Sequence, residues 1–210
     1  MIVSLLALSL LSTLPASAGS WGLEYRNART PQRIERVLPL TPQDRLWMGR
    51  MLYGEVGTLG RRAYALVLYT VAQRLWFLPA YRRVDSFTTF MRKFSQPINP
   101  GFLDPNGRLC RKFPGSCREA LLARRRRIQS MSWEDLPAMI RDTVDEFMSG
   151  ELENPAPQSI DFARSYNDRD CISKGTRVLL RDPPGPPGSG AQHVYCRPRK
   201  GEQAPLVTVR

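Results

Sequence analysis

Two apolar runs at helical spacing dominate the chain, and they lie side by side in sequence between Leu46 and Phe77. In the second, Ala63, Leu66, Val67, Thr70, Val71, Arg74 and Leu75 recur at i, i+3, i+4 intervals, which predicts a helix. Tyr64, Leu68, Trp76 and Phe77 widen its apolar face until little solvent-facing surface is left, so this helix is expected to be central and mostly buried. Pro79 stops it. The first run starts at Thr41-Pro42-Gln43-Asp44, with a capping threonine, proline at the first helical position and an acid in the first turn; it predicts a helix from about Pro42 to Val56. Gly57 and Gly60 separate the two.

The pattern continues with a short helix over Ser86 to Phe94, with Phe87, Phe90 and Met91 on one side. From Ser95 to Gly115 four prolines and three glycines predict a long loop without regular elements, and long loops in compact domains are usually functional. Ser116-Cys117-Arg118-Glu119 reads as a capping box opening a helix, in which Arg124 to Arg127 would spread four cations around the axis. Ser132-Trp133-Glu134-Asp135 is expected to start a further helix, with Leu136, Met139, Ile140, Val144, Phe147 and Met148 at core spacing and Gly150 closing it. After Asn154 the pattern changes to short strand-like runs at Ser159 to Ala163, Thr176 to Leu180 and His193 to Cys196. Asp182 to Gly190, rich in Pro and Gly, reads as a flexible connection.

The expected fold class is therefore α+β, mainly α. It comprises an apolar segment over 1–18, a basic extended lead-in arm over 19–40, a helical core over 41–153 and a β-rich part of the same domain over 154–210. A length of 210 residues and a 42% hydrophobic content suit one domain with a proper core. The charge is less ordinary: 31 Lys and Arg against 19 Asp and Glu leave a net +12, which favours an anionic partner such as nucleic acid, a membrane surface or an acidic wall polymer.

The N-terminus narrows that choice. Met1 to Leu14 is uncharged and apolar, and Ala16 and Ala18 fit the small-x-small rule for export cleavage; an uncleaved anchor or a buried helix is the competing reading. Export places the protein in the periplasm or outside the cell, with membrane contact only through this segment. The four cysteines, Cys110, Cys117, Cys171 and Cys196, then predict disulfides, most simply between sequence neighbours. No CxxC and no histidine at ligand spacing support zinc, so neither a metal nor a cofactor is expected.

One residue breaks the apolar pattern between Leu46 and Phe77. Glu55 is its only carboxylate, set between Gly54 and Gly57, and such an acid is either a charge-paired structural group, with Arg61, Arg62 or Arg74 as partner, or a catalytic carboxyl whose pKa the apolar walls raise. The stretch from Met51 to Gly57, with Tyr53-Gly54-Glu55 at its centre, resembles the SleB-type cell wall hydrolases, as does the run from Ala65 to Arg74. Where that family closes its second helix on Asn-Arg, this chain has Gln73-Arg74. Phe94 to Pro100 is similar to the family's Gln-Phe-Ser loop, and Asn154 to Ala163 and His193 to Tyr195 are similar to its C-terminal strands. The likeness spans roughly Gln43 to Tyr195. It departs after the glutamate, where many relatives carry a second acid and this chain has Gly57-Thr58-Leu59.

The resemblance implies a lysozyme-like fold and an enzyme acting on peptidoglycan glycan strands between N-acetylmuramic acid and N-acetylglucosamine, with Glu55 as acid/base. Glycosidic cleavage needs a neutral carboxylic acid beside the leaving oxygen. A two-carboxylate mechanism also needs a second acid, for which Asp85, Asp104 and Asp161 are candidates through the fold. Without one, a single-acid lytic transglycosylase route is favoured over hydrolysis. Ser95, Gln96 and Asn99 are candidates for holding sugar polar groups, Asn99 equally for turn chemistry, and Tyr53 for stacking or hydrogen bonding at the cleft. His193 reads as a half-buried strand residue in preference to a base. The competing classes are a structural virion or exported protein that keeps the fold without activity, and a basic module gripping wall or nucleic acid through Arg111, Lys112 and Arg124 to Arg127. No recognised nucleic-acid fold appears, so nucleic acid is not expected as a partner.

Overall fold

The computed structural model describes residues 21–164, 171–172, 175–183 and 193–210. The apolar segment over 1–18 and the connection from Pro184 to Gly190 lie outside the described residues. The architecture is mixed, with six α-helices and two small sheets among the described residues.

The helical core forms where the apolar pattern places it. Helix α1 runs Pro42–Glu55 and α2 runs Arg61–Phe77. Twelve of the seventeen residues of α2 are buried, which makes it the central helix. Helix α3, Phe87–Phe94, is capped by Ser86. Asp44 closes a capping box with Thr41 and does more: its second oxygen accepts the Thr88 N–H and hydroxyl, both at 2.7 Å. One buried carboxylate with its acceptor sites filled thus ties the start of α1 to the start of α3.

Residues Ser95 to Gly115 are not devoid of regular structure. They carry 3₁₀ turns at Gln96–Ile98 and Pro100–Phe102, a short helix α4 at Arg108–Lys112, and a further 3₁₀ turn at Pro114–Cys117. Proline fixes φ near its helical value and needs no hydrogen bond at a first position. Pro97, Pro100 and Pro114 therefore mark where these turns begin.

Helix α5 is Glu119–Ser130, and the expected Ser116 capping box is absent; Arg118 occupies the cap position without a side-chain bond. Ser116 and Cys117 are instead held in the preceding turn by the Cys110–Cys117 disulfide. Helix α6 begins at Ala138, not near Ser132. Ser132 and Asp135 do exchange reciprocal bonds, but proline disfavours helix in the residue before it, so Pro137 becomes the cap. Gly150, at φ 79°, ends α6 in the left-handed conformation expected of it.

The larger correction concerns the lead-in arm. Strands β1, Gly22–Asn27, and β2, Thr30–Pro39, form an antiparallel hairpin, and β6, Leu206–Val209, pairs with β1 to give the order β2-β1-β6. Leu23, Tyr25 and Leu38 point into the main core. The backbone of β1 is satisfied by a strand about 180 residues away in sequence, a pairing that no local pattern announces. The part over 154–210 is accordingly divided between two sheets. Its strands β3 (Asp161–Arg164), β4 (Arg177–Asp182) and β5 (His193–Arg197) form a second sheet in the order β3-β5-β4, and the Cys171–Cys196 disulfide ties the central strand β5 to Cys171, which precedes β4 in the chain. All four cysteines are thus bridged, in the neighbour pairing, and none remains as a thiolate metal ligand. Among the described residues no helix is long and apolar enough to cross a membrane.

Candidate active site

Glu55 is the last residue of α1, and the packing of that helix end decides where its carboxyl goes. Gly54 touches the first 3₁₀ turn so closely that a Cβ there would lie 2.3 Å from Cβ of Pro97. Only glycine lets the two elements meet, and their contact sets Glu55 at the wall of a cleft of about 720 Å³. Beyond it, Gly57 takes a positive φ of 58°, and its carbonyl accepts the Tyr64 hydroxyl at 2.8 Å, which fixes the corner between α1 and α2.

The Glu55 carboxyl is half-buried and makes no ion pair among the described residues. The proposed structural partners are all committed elsewhere: Arg61 to Glu146, Arg62 to Asp182 and Arg74 to Asp161. Ser95, at the C-cap of α3, donates its hydroxyl to Oε1 of Glu55 at 2.7 Å. Burial pushes the pKa of Glu55 up to about 7, outweighing the Ser95 hydrogen bond and the fields of Arg124 and Arg125, which all act to lower it. Close to neutrality both protonation states are therefore well populated.

Around Gly54 and Glu55 of α1 and Arg74 of α2, several further elements supply the cleft walls. Phe94 and Lys93 belong to α3, Gln96 and Pro97 to the 3₁₀ turn, Arg124, Arg125 and Ile128 to α5, and Asp161, Phe162 and His193 to the second sheet. Among the described residues, Asp161 is the other carboxylate on these walls. It forms a largely buried ion pair with Arg74 and accepts the Phe162 N–H at 2.9 Å, while Arg74 also stacks over the Phe94 ring at 4.4 Å. Asp85 and Asp104 do not line the cleft.

The candidate residues divide. Glu55, Ser95 and Gln96 come together: Ser95 is fully buried behind the glutamate, and Gln96 is exposed at the cleft wall. Asn99 is occupied by turn chemistry, its Oδ1 accepting the Gly101 N–H at 2.9 Å and its amide donating to the Lys93 carbonyl. Tyr53 packs against the core and is not among the lining residues. His193 is a buried residue of β5 that reaches the cleft next to Phe162.

The arginines of α5 were legible only in part. Leu121, Arg124, Arg125 and Ile128 all line the cleft, and their i, i+3, i+4, i+7 spacing marks a single helix face. Arg124 donates to the Gly54 carbonyl at 3.1 Å. Arg125 is buried over the Phe102 ring at 4.9 Å and donates to the Ser116 carbonyl.

A second cavity of about 670 Å³ lies on the other side of the Arg74–Asp161 pair, between Trp76, the β1–β2 turn and Arg199 to Pro205. It is of similar size but does not reach Glu55, so chemistry rather than volume selects the site. Comparison with known protein families, curated proteins and solved structures finds no match to this chain.

Proposed function

We propose that the protein is a peptidoglycan-cleaving glycosidase with a lysozyme-like core, acting on the β-1,4 bond between N-acetylmuramic acid and N-acetylglucosamine, with Glu55 as its acid/base. The observation that carries this reading is a carboxyl poised near pH 7 by burial, without an ion-pair partner among the described residues, at the wall of a cleft large enough for several sugar rings. The two disulfides are those of a protein that matures in an oxidising compartment, which supports action in the periplasm or outside the cell, where the wall is.

Protonated Glu55 gives its proton to the glycosidic oxygen as the bond to the muramic acid C1 breaks, and the N-acetylglucosamine end leaves as an alcohol. The resulting carboxylate then takes the proton of the muramic acid's own 6-hydroxyl, whose oxygen closes on C1. No water is consumed, and the product is a 1,6-anhydro sugar. This lytic transglycosylase route is favoured over hydrolysis because Asp161, the other cleft carboxylate among the described residues, is engaged by Arg74 and by the Phe162 N–H and so is committed to the wall rather than to positioning an attacking water. Ser95 holds the Glu55 carboxyl in place through both steps. Mass analysis of products from purified peptidoglycan tests the reading. The transglycosylase yields fragments one water lighter than those of a hydrolase, and an absence of either product overturns the glycosidase assignment.

A further inference from the structure

The charge on the cleft walls does not suit a neutral sugar chain. Lys93 from α3 and Arg124 from α5 are both exposed at the cleft that holds Glu55, and neither makes an ion pair among the described residues. Arg125 lies beside them, buried. Among the described residues, the one carboxylate on these walls other than Glu55 is already bound by Arg74. The cleft therefore gathers like charge without its counter-charge, an arrangement that an anionic ligand relieves.

From this geometry we infer that Lys93 and Arg124 bind carboxylates of the peptide that muramic acid carries on its lactyl group, so that peptide-bearing strands are the preferred substrate. The inference rests on the glycosidase reading. The lactyl ether is carried on C3 of the same muramic acid ring whose C1 bond Glu55 is placed to cleave, so its peptide leaves from a ring seated in this cleft and falls within reach of side chains lining it. Arg124 spends one donor on the Gly54 carbonyl, one residue before Glu55, and a guanidinium carries five. That bond anchors the cation against the catalytic helix end while leaving the remaining N–H groups for a carboxylate.

Two physical consequences agree with an anion here. Burial first, and then the field of Arg124, lower the proton affinity of Arg125, so the two guanidinium groups repel each other across this wall. Both arginines also draw Glu55 toward its charged form, and a bound carboxylate screens them and favours the protonated acid that the first step requires.

Calorimetric binding of soluble glycan fragments, with stem peptides intact or removed by amidase, tests this in the Glu55→Gln background, where the strand is not consumed. Intact fragments are expected to bind about tenfold more tightly than stripped ones, as two charge-assisted contacts imply. Adding Lys93→Gln and Arg124→Gln together is expected to bring that ratio close to one; glutamine at 124 keeps a donor for the Gly54 carbonyl, and an unchanged melting temperature certifies the fold. Equal affinity for both fragments in the parent, or a preference that survives the double substitution, overturns the inference. Cleavage of both substrates without preference by the native protein leaves the glycosidase reading standing and removes this one. A cation-dependent preference without any cleavage overturns the glycosidase reading, and with it the claim of a preferred substrate, leaving only a peptide-carboxylate binding site.

Discussion

Glu55 has to be read through its protonation. Its folded pKa of about 7 lies above the ordinary 4.5, so the unfolded chain releases this proton first, and as pH rises from 4.5 to 7 the group makes the fold progressively less stable. At pH 8 the whole cost is present, at most about 3 kcal/mol by linkage. Glu55→Gln removes that charge. Its melting temperature is expected to equal or exceed the parent's at pH 8 and to converge with it near pH 4.5, while wall lysis falls by about 10² to 10⁴ through loss of the transferable proton. A salt-bridged structural acid behaves in the opposite way, its neutralisation costing about 3 to 5 kcal/mol, so thermal unfolding of this variant at two pH values separates the roles. Ser95→Ala makes a finer point. The Ser95 bond favours the carboxylate, so its loss raises the Glu55 pKa further, and the alkaline limb of the kcat/KM profile is expected to move to higher pH. A limb that stays in place means that Glu55 does not set it.

At the scale of elements, the site depends on how closely α1 approaches the turn at Gln96–Ile98. Gly54→Ala places a methyl group within 2.3 Å of Pro97, and such overpacking costs about 1 to 3 kcal/mol. Because the strain falls one residue from Glu55, activity is expected to drop far more than the melting temperature, and parallel measurements of lysis and unfolding check it. The boundaries of α1, α2 and α3 were legible because amphipathic spacing, caps and Pro79 are local signals that agreed with one another. Where two local signals conflicted, the covalent or steric constraint won. The Cys110–Cys117 bridge overrode the apparent cap at Ser116, and Pro137 overrode the Ser132–Asp135 box. The hairpin over Gly22 to Pro39 escaped notice because its third strand, β6, comes from the far end of the sequence, and its many arginines resemble those of an unstructured arm. Glu55 was visible as a lone acid in an apolar run. The Arg74–Asp161 pair on which the proposed route turns joins residues 87 positions apart, and its identity required the fold.

For the whole molecule, the distribution of charge matters more than its total. Between Arg108 and Arg127 stand eight cations and one carboxylate, so this stretch alone carries more than half of the net +12. It contains α4, the disulfide-bridged turn and α5, whose inner face forms a wall of the cleft while Arg108, Arg111, Lys112 and Arg118 are exposed away from it. Anionic wall polymer meeting this flank is attracted over roughly a Debye length, about 10 Å at 0.1 M salt and about 3 Å at 1 M. Retention on isolated cell walls is therefore expected to be strong at low salt and to fall steeply toward 1 M. The Cys110–Cys117 bridge fixes the turn that displays these cations, so on the proposed reading the attraction is directed beside the cleft that holds Glu55. Replacing Arg108, Arg111, Lys112 and Arg118 together by glutamine is expected to remove most of the salt-sensitive retention, while turnover of short soluble fragments, which do not span the flank, stays at the parental rate. Sedimentation of the protein with walls across a salt series, read beside fragment turnover, makes the test. Retention that ignores salt, or that survives the fourfold substitution, shows that wall affinity resides elsewhere and that this concentration of charge does not direct the encounter.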